Sequence, residues 1–434
     1  MWGKIKQILF LTIVLFLPTQ LGKHFWPEFS YIFGTKIDYL SPTIYFNDIL
    51  ITLLIFLEAK IIFKKISGIL KQRVWFFVLI PVFLIAILGS SLVWQLSLLK
   101  LLRIIEYSVF GLLVWIYFQK NNRQSGFFIV FSFGALFESI LAIYQFFFQK
   151  SFGGIFWLLG ERFFNSATPQ IAQIEIFNGL YARPYGTFPH PNVLAGYLSA
   201  VVLLIAGYLI NKNRKKISFK EKSFYIVTLF FSVTAVFISF SRTGWFFLAT
   251  SSLLFFLTSG TKNKLKYFLG IGLGLLLISK TVLFSLVSQR LISLFTDDAK
   301  SVYLRASLNE AAIKIISSHP LFGAGLNNFI PAMSIFYHWT GELRSYQPVH
   351  NIYLLLLSEA GITGLAVFLM GVGLTFKNLI NHKNLLIKNG YLIIIFAGLL
   401  LVGLFDHYLL TLPQGQLLLA LMIGLCFVNE KKTV

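Results

Sequence analysis

The stretch RPYGTFPHPNVLAGYLSAVVLLIAGYLI, residues 183–210, decides the fold. Its second part is an apolar run near 191 to 210, and about 20 such residues are what a helix needs to cross the hydrocarbon core of a bilayer. Its first part cannot be helical, because early turn formers and the Pro189/Pro191 pair interrupt any such pattern. Irregular backbone beside a span is tolerated at membrane depth only where it is buried in protein or lines a wet cavity.

Working outward, the same apolar character recurs along the chain. Hydrophobic residues make up 57% of the 434 and charged residues 12%, and the mean hydropathy is +0.77, far from the balance of a soluble domain. The chain reads as a single integral membrane domain over 1–434, with no soluble catalytic domain appended. A formal charge of +21 could suggest nucleic acid, but the basic residues fall in short clusters between apolar runs, as cytoplasmic loops do. The single cysteine, Cys426, excludes an intramolecular disulfide and any multi-cysteine zinc site. Lys4 and Lys6 precede an apolar stretch without a small-residue cleavage site, so the opening segment reads as a retained first helix.

The fold class expected is an all-α polytopic membrane protein of about twelve spans. These lie near 5 to 21, 44 to 63, 74 to 96, 104 to 118, 126 to 148, 191 to 210, 223 to 240, 244 to 259, 267 to 286, 350 to 376, 390 to 411 and 414 to 428. Threaded alternately from a cytoplasmic start, the inside segments carry 22 of the 37 basic residues, in keeping with the positive-inside tendency. Both termini are then cytoplasmic, in a plasma (inner) membrane. Two long connections, about 149–190 and 287–349, fall on the outer face, and loops of that length are commonly functional. Within the second, Leu304, Leu308, Ala311, Ala312 and Ile315 recur at helical spacing over 301–318, which predicts an amphipathic helix ending at His319-Pro320.

Three polar passages then surface together on the outer side: 182–192, SRTGW at 241–245, and PVHNIYLLLLSEAG at 348–361. Arg183 stands in the first, as an anion contact or as a snorkelling interfacial arginine. Arg242 sits in a connection too short to swing into bulk water, and an arginine held toward the bilayer interior faces a cavity or an anion. Ser241 and Thr243 are candidate caps for the following helix, whose N-terminal amides favour a phosphate. His350 opens the tenth span, followed by Asn351 and Tyr353, and its imidazole can accept a proton near neutral pH. Glu359 lies nine residues on, on the opposite helix face, and takes a structural role. The acids Glu106, Glu138 and Asp406 read either as proton-relay groups of a transporter or as partners of cations such as Arg103. GAGLN at 323–327 reads as a tight turn in the outer loop. No Asp-x-Asp occurs, and Asp297-Asp298 is a single adjacent pair, so no metal and no cofactor is expected; arginines would neutralise any diphosphate.

The order RPYGTFPHPNVLAGYL, SRTGW, HPLFGAGLNNF, HNIYLLLLSEAGITGL and DHYLLTLPQGQ resembles the O-antigen ligase and polymerase superfamily of bacterial polysaccharide assembly, over roughly residues 180–416. That resemblance implies a metal-independent membrane glycosyltransferase acting on undecaprenyl-diphosphate-linked glycans at the outer face of the plasma membrane. It implies that Arg183 and Arg242 contact the diphosphate and that His350 activates the acceptor, which is a saccharide, lipid or protein hydroxyl. Arg305 matches a recurrent arginine ahead of the Pro-Leu-Phe-Gly turn, and with Ser241, Asn351 and Tyr353 it is a candidate substrate contact. The expected reaction is inverting transfer with no nucleic acid involved. A transporter or flippase for lipid-linked saccharides is the alternative, and it would depend on Glu106, Glu138 and Asp406 instead.

Overall fold

A backbone amide left unpaired in hydrocarbon is costly, so long apolar segments close their hydrogen bonds internally as helices. The computed structural model describes residues 2–72, 84–118, 124–176, 179–210, 217–258, 299–337, 346–384, 387 and 389–429. Along the first part of the chain run α1 (Trp2–Leu15), α2 (Phe46–Gln72), α3 (Trp94–Phe118), α4 (Gln124–Phe148), α5 (Pro191–Ile210), α6 (Phe219–Ile238) and α7 (Arg242–Thr258). Then follow α8 (Ala299–Ser318), α9 (Phe329–Phe336), α10 (Ile352–Asn381), α11 (Asn389–Val402), α12 (Tyr408–Thr411) and α13 (Pro413–Cys426). Small antiparallel pairs sit in the connections: β1 (Gly22–His24) with β4 (Thr43–Tyr45), β2 (Tyr31–Ile32) with β3 (Thr35–Lys36), and β5 (Gln173–Ile176) with β6 (Gly179–Ala182).

Among the described residues, five helices are long and apolar enough to cross a membrane: α3, α4, α5, α6 and α10. The chain is a mostly helical, multi-pass membrane protein. The span expected near 267 to 286, and parts of the second outer connection, lie outside the described residues. The spans expected at 74 to 96 and 104 to 118 leave an outer connection at 97–103, but α3 runs unbroken from Trp94 to Phe118. Its charged residues need no loop because neighbours satisfy them. Lys100 Nζ donates to the Leu410 carbonyl, and Arg103 donates to the Thr43 carbonyl (2.6 Å) and to Asp48 (3.1 Å). The span expected over 390 to 411 also breaks, with α11 ending at Val402 and a turn carrying the chain to Asp406.

Helix α5 is the axis of the bundle. Nearly all of it is buried, and α4, α6, α7 and α11 pack around it. Just before it, the irregular 183–190 segment is secured by side chains of α4. Gln145 Oε1 accepts from the Tyr185 and Gly186 amides (2.9 and 2.7 Å), and its Nε2 donates to the Gly186 carbonyl (3.0 Å). Glu138 accepts from the Thr187 amide (2.8 Å) and hydroxyl (2.6 Å). These bonds supply the partners that a non-helical backbone lacks beside a membrane.

The predicted amphipathic helix is α8, and Leu308, Ala311, Ala312 and Ile315 are fully buried against α9 and α10. After it, GAGLN does more than turn. It inserts into a break of α10 at Gly361 (φ 64°), where Ala324 and Gly325 amides donate to the Ser358 and Glu359 carbonyls (2.9 and 3.0 Å) that the broken helix leaves unpaired. A Cβ on Gly361 would lie 2.3 Å from the Leu321 backbone, so only glycine permits the approach.

Candidate functional site: an arginine–asparagine–aspartate–histidine chain

The site is assembled from three chain ends. Pro189 and Pro191 stop any earlier helix, and Pro191 starts α5 at a position where its missing N–H costs nothing; this leaves Arg183, His190 and Asn192 at the head of α5. The amide of Ile352 donates to the Gly403 carbonyl (2.8 Å), tying the start of α10 to the end of α11. That bond brings His350 beside Asp406 and His407. Ser241, at the head of α7, donates its amide to Ser239 Oγ (3.2 Å), the residue whose carbonyl Arg183 contacts.

Arg183 is buried, and its guanidinium is aimed by two bonds. Nε donates to the Ser239 carbonyl (2.7 Å), and one terminal nitrogen donates to Asn192 Oδ1 (2.8 Å). Asn192 Nδ2 in turn donates to Asp406 Oδ2 (2.9 Å). Asp406 Oδ1 accepts from the His407 amide (2.8 Å) and lies 3.9 Å from His350 Nδ1. The His350 and His407 rings are 4.9 Å apart. A continuous line of contacts therefore runs from the arginine of the first polar passage to the histidine of the third.

Arg242 is the first residue of α7, three positions beyond the Ser239 carbonyl that Arg183 grips. Ser241 Oγ accepts from the Gly244 amide (3.2 Å), so it caps this helix. Arg305, on α8, is half-buried and near enough to disfavour protonation of both His350 and His407. Asn351 Oδ1 accepts from the Tyr353 and Leu354 amides (2.9 and 3.1 Å) as the cap of α10. Tyr353 Oη donates to the Leu400 carbonyl (2.9 Å). Asn351 thus caps α10 directly after His350, and Tyr353 ties α10 to α11.

Electrostatics follow from the burial of so many ionisable groups together. Burial pulls His350 below the usual imidazole value, and Arg305 adds to this, while Asp406 opposes it. His407 is pushed down to about 3, by burial first and then by His350. Burial alone would raise the Asp406 carboxyl, but His350, His407, His190 and the Asn192 bond hold it below its ordinary value. The resulting picture is an ionised carboxylate among neutral imidazoles, with arginines alongside.

Sequence reasoning missed Asp406 as part of this centre, because an apolar run hid the turn after α11. It also missed His190 and Asn192, which lie inside a quoted motif but carried no spacing signal of their own. Among the described residues, His350, Asp406 and His407 are the one group whose ligand atoms, all within 4.8 Å of one another, could hold a metal ion. The donor set suits a cation poorly. Its single carboxylate has both oxygens already hydrogen-bonded, His407 Nδ1 contacts Thr411 Oγ1 (2.7 Å), and Arg305 stands close by.

A cavity of about 1100 Å³ adjoins the centre. His190 lies on its wall, as do Tyr39, whose ring meets that of His407 at 5.6 Å, and Thr411. Arg183, Arg242, Arg305 and His350 are not on that wall. Lys100, Arg103 and Arg162 do line it, and His190 is the one imidazole of the centre that does.

Bundle and site together define a multi-pass membrane protein with an arginine-flanked imidazole–carboxylate centre. Residues 226–369 match the model of the family described as O-Antigen ligase, and over that stretch the chain is similar to the O-antigen ligase and polymerase superfamily, as its motifs indicate. The matched stretch holds SRTGW, Arg305, GAGLN and His350, while Arg183, His190 and Asp406 lie outside it. No curated protein matches the chain.

Proposed function

We propose that the protein is a glycosyltransferase that moves a glycan from an undecaprenyl-diphosphate donor to an acceptor hydroxyl at the outer face of the plasma membrane. The observation that carries this is the unbroken contact line Arg183–Asn192–Asp406–His350, which joins an anion-binding group to a base. As the bond between the anomeric carbon and the diphosphate breaks, negative charge grows on the leaving group. Arg183 and Arg242 stabilise it, and Arg183 is already oriented by Ser239 and Asn192, so little reorganisation is needed.

The acceptor oxygen attacks from the opposite side, its proton passes to His350, and Asp406 stabilises the imidazolium that forms. The configuration at the anomeric carbon inverts, and no metal enters the scheme. The transporter alternative asks Glu138 and Asp406 to relay protons. Their bonds to Thr187, His407 and Asn192 instead support a role in holding the site together.

The test is transfer from an undecaprenyl-diphosphate-linked glycan in proteoliposomes. Arg242→Ala should lower kcat by about 100- to 1,000-fold, the usual effect of losing one donor to a developing anion, with membrane insertion intact. Wild-type turnover by that variant would remove the arginine from the mechanism.

A further inference from the structure

His190 is the one member of the imidazole–carboxylate centre that both contacts the network and lines the cavity. Its ring is fixed by its neighbour. The Asn192 amide donates to His190 Nδ1 (3.1 Å), and the His190 carbonyl accepts from the Val193 amide (3.0 Å), so the residue caps α5 with side chain and backbone at once. A backbone N–H can only donate, so Nδ1 carries the lone pair and the ring proton sits on Nε2. Charging the ring would put a proton on Nδ1 against that amide.

Burial and the Arg183 charge also oppose protonation, with His350 and Arg162 adding to them and Asp406 acting the other way; the ring is pushed down to about 3. His190 is therefore a neutral imidazole at ordinary pH. It has one N–H to offer, at Nε2.

The cavity beyond it suits a polyhydroxylated ligand. Hydroxyls and carboxylates such as Ser41, Thr43 and Asp38 share its wall with Tyr39 and a half-exposed Trp157, the mix of polar groups and aromatic faces that orients a small polar molecule. Of the arginines on this wall, Arg103 is engaged by Asp48 and the Thr43 carbonyl and Arg162 stands over the Tyr185 ring; Arg183 and Arg242, which take the diphosphate in the reading above, are off it. Back-side displacement places the attacking sugar opposite the leaving group. We infer that the cavity binds the saccharide acceptor and that His190 Nε2–H donates a hydrogen bond to the oxygen of its attacking hydroxyl, a contact that rests on the transferase reading above. His190 gives up no proton; the hydroxyl's own proton goes to His350 as the new bond to the anomeric carbon forms.

Two substitutions separate this contact from helix capping. In His190→Asn the side-chain oxygen takes the place of Nδ1 and keeps the cap, asparagine being among the best cap residues, but the distal donor is gone. In His190→Gln the amide reaches to where Nε2 stood. The purified full chain in detergent is titrated calorimetrically with trisaccharides of N-acetylglucosamine, glucose and rhamnose, and separately with inorganic diphosphate. The wild type should bind at least one trisaccharide. His190→Asn should weaken that binding by roughly tenfold, as expected for one neutral hydrogen bond, His190→Gln should restore most of it, and diphosphate affinity should stay unchanged in both. Wild-type trisaccharide affinity in His190→Asn, or a loss confined to diphosphate, would overturn the assignment, as would a wild type that binds none of the three sugars. Diphosphate binding that is indifferent to Arg183→Ala and Arg242→Ala would count against the transferase reading alone, and the sugar titrations would still decide the role of His190.

Discussion

At the residue scale, the centre depends on one carboxylate serving three imidazoles. His350 is drawn below the ordinary imidazole value by burial and by Arg305, and it is raised only by Asp406; His407 and His190 face the same carboxylate. Because the depressed value keeps His350 unprotonated, the basic form persists to mildly acidic pH, and the acid limb of kcat/KM should fall below the free-imidazole value. Asp406→Asn removes the one group that favours the imidazolium, so the limb should move further toward acid, with a lower plateau. A limb that moves toward alkali would reverse the assigned sign. Treatment with EDTA should leave turnover unchanged, since the Asp406 oxygens are engaged by Asn192 and His407; loss of activity that added divalent ions restore would turn the cluster into a metal site. In the sequence Arg183, Arg242 and His350 stand out by their punctuation of apolar runs, and Arg305 through the family resemblance alone. Asp406 stands both as an intramembrane acid and as the first residue of DHYLLTLPQGQ, but neither reading pairs it with His350, because the turn after Val402 that delivers it lies within an apolar run.

At the element scale, what could be read was whatever a period reveals. The segments read near 126 to 148, 191 to 210 and 223 to 240 correspond to α4, α5 and α6, and four of the five stripe residues expected in α8 are fully buried, Leu304 only partly. What could not be read was tertiary satisfaction. Charges at 100 and 103 fall between the expected spans, yet Leu410, Thr43 and Asp48 supply them with partners inside one helix, and the break in α10 has no proline to announce it. That break yields a paired prediction. Gly361→Ala should destabilise the protein by about 1–3 kcal/mol, since it forces a side chain into left-handed backbone against Leu321. Gly371→Ala, on the same helix with nothing within 4 Å, should stabilise by about 0.5–1 kcal/mol. Thermal unfolding in detergent reads both, and equal effects would deny that the GAGLN turn holds the break.

At the scale of the whole molecule, the bundle joins the first and third polar passages, more than 160 residues apart at their extremes, through Asn192 and Asp406, with the second beside Arg183 through Ser239 and a large cavity adjoining at His190. The proposed reaction has two substrates, a donor with a charged leaving group and a hydroxylated acceptor. The account stands or falls on His350 acting as the base between them. The most direct measurement is single-turnover transfer by His350→Ala in proteoliposomes preloaded with an undecaprenyl-diphosphate-linked glycan, alongside donor binding by the same preparation. The account predicts a rate at least about 100-fold below wild type, the usual contribution of a positioned base, with donor binding retained; transfer within a few fold of wild type would contradict it.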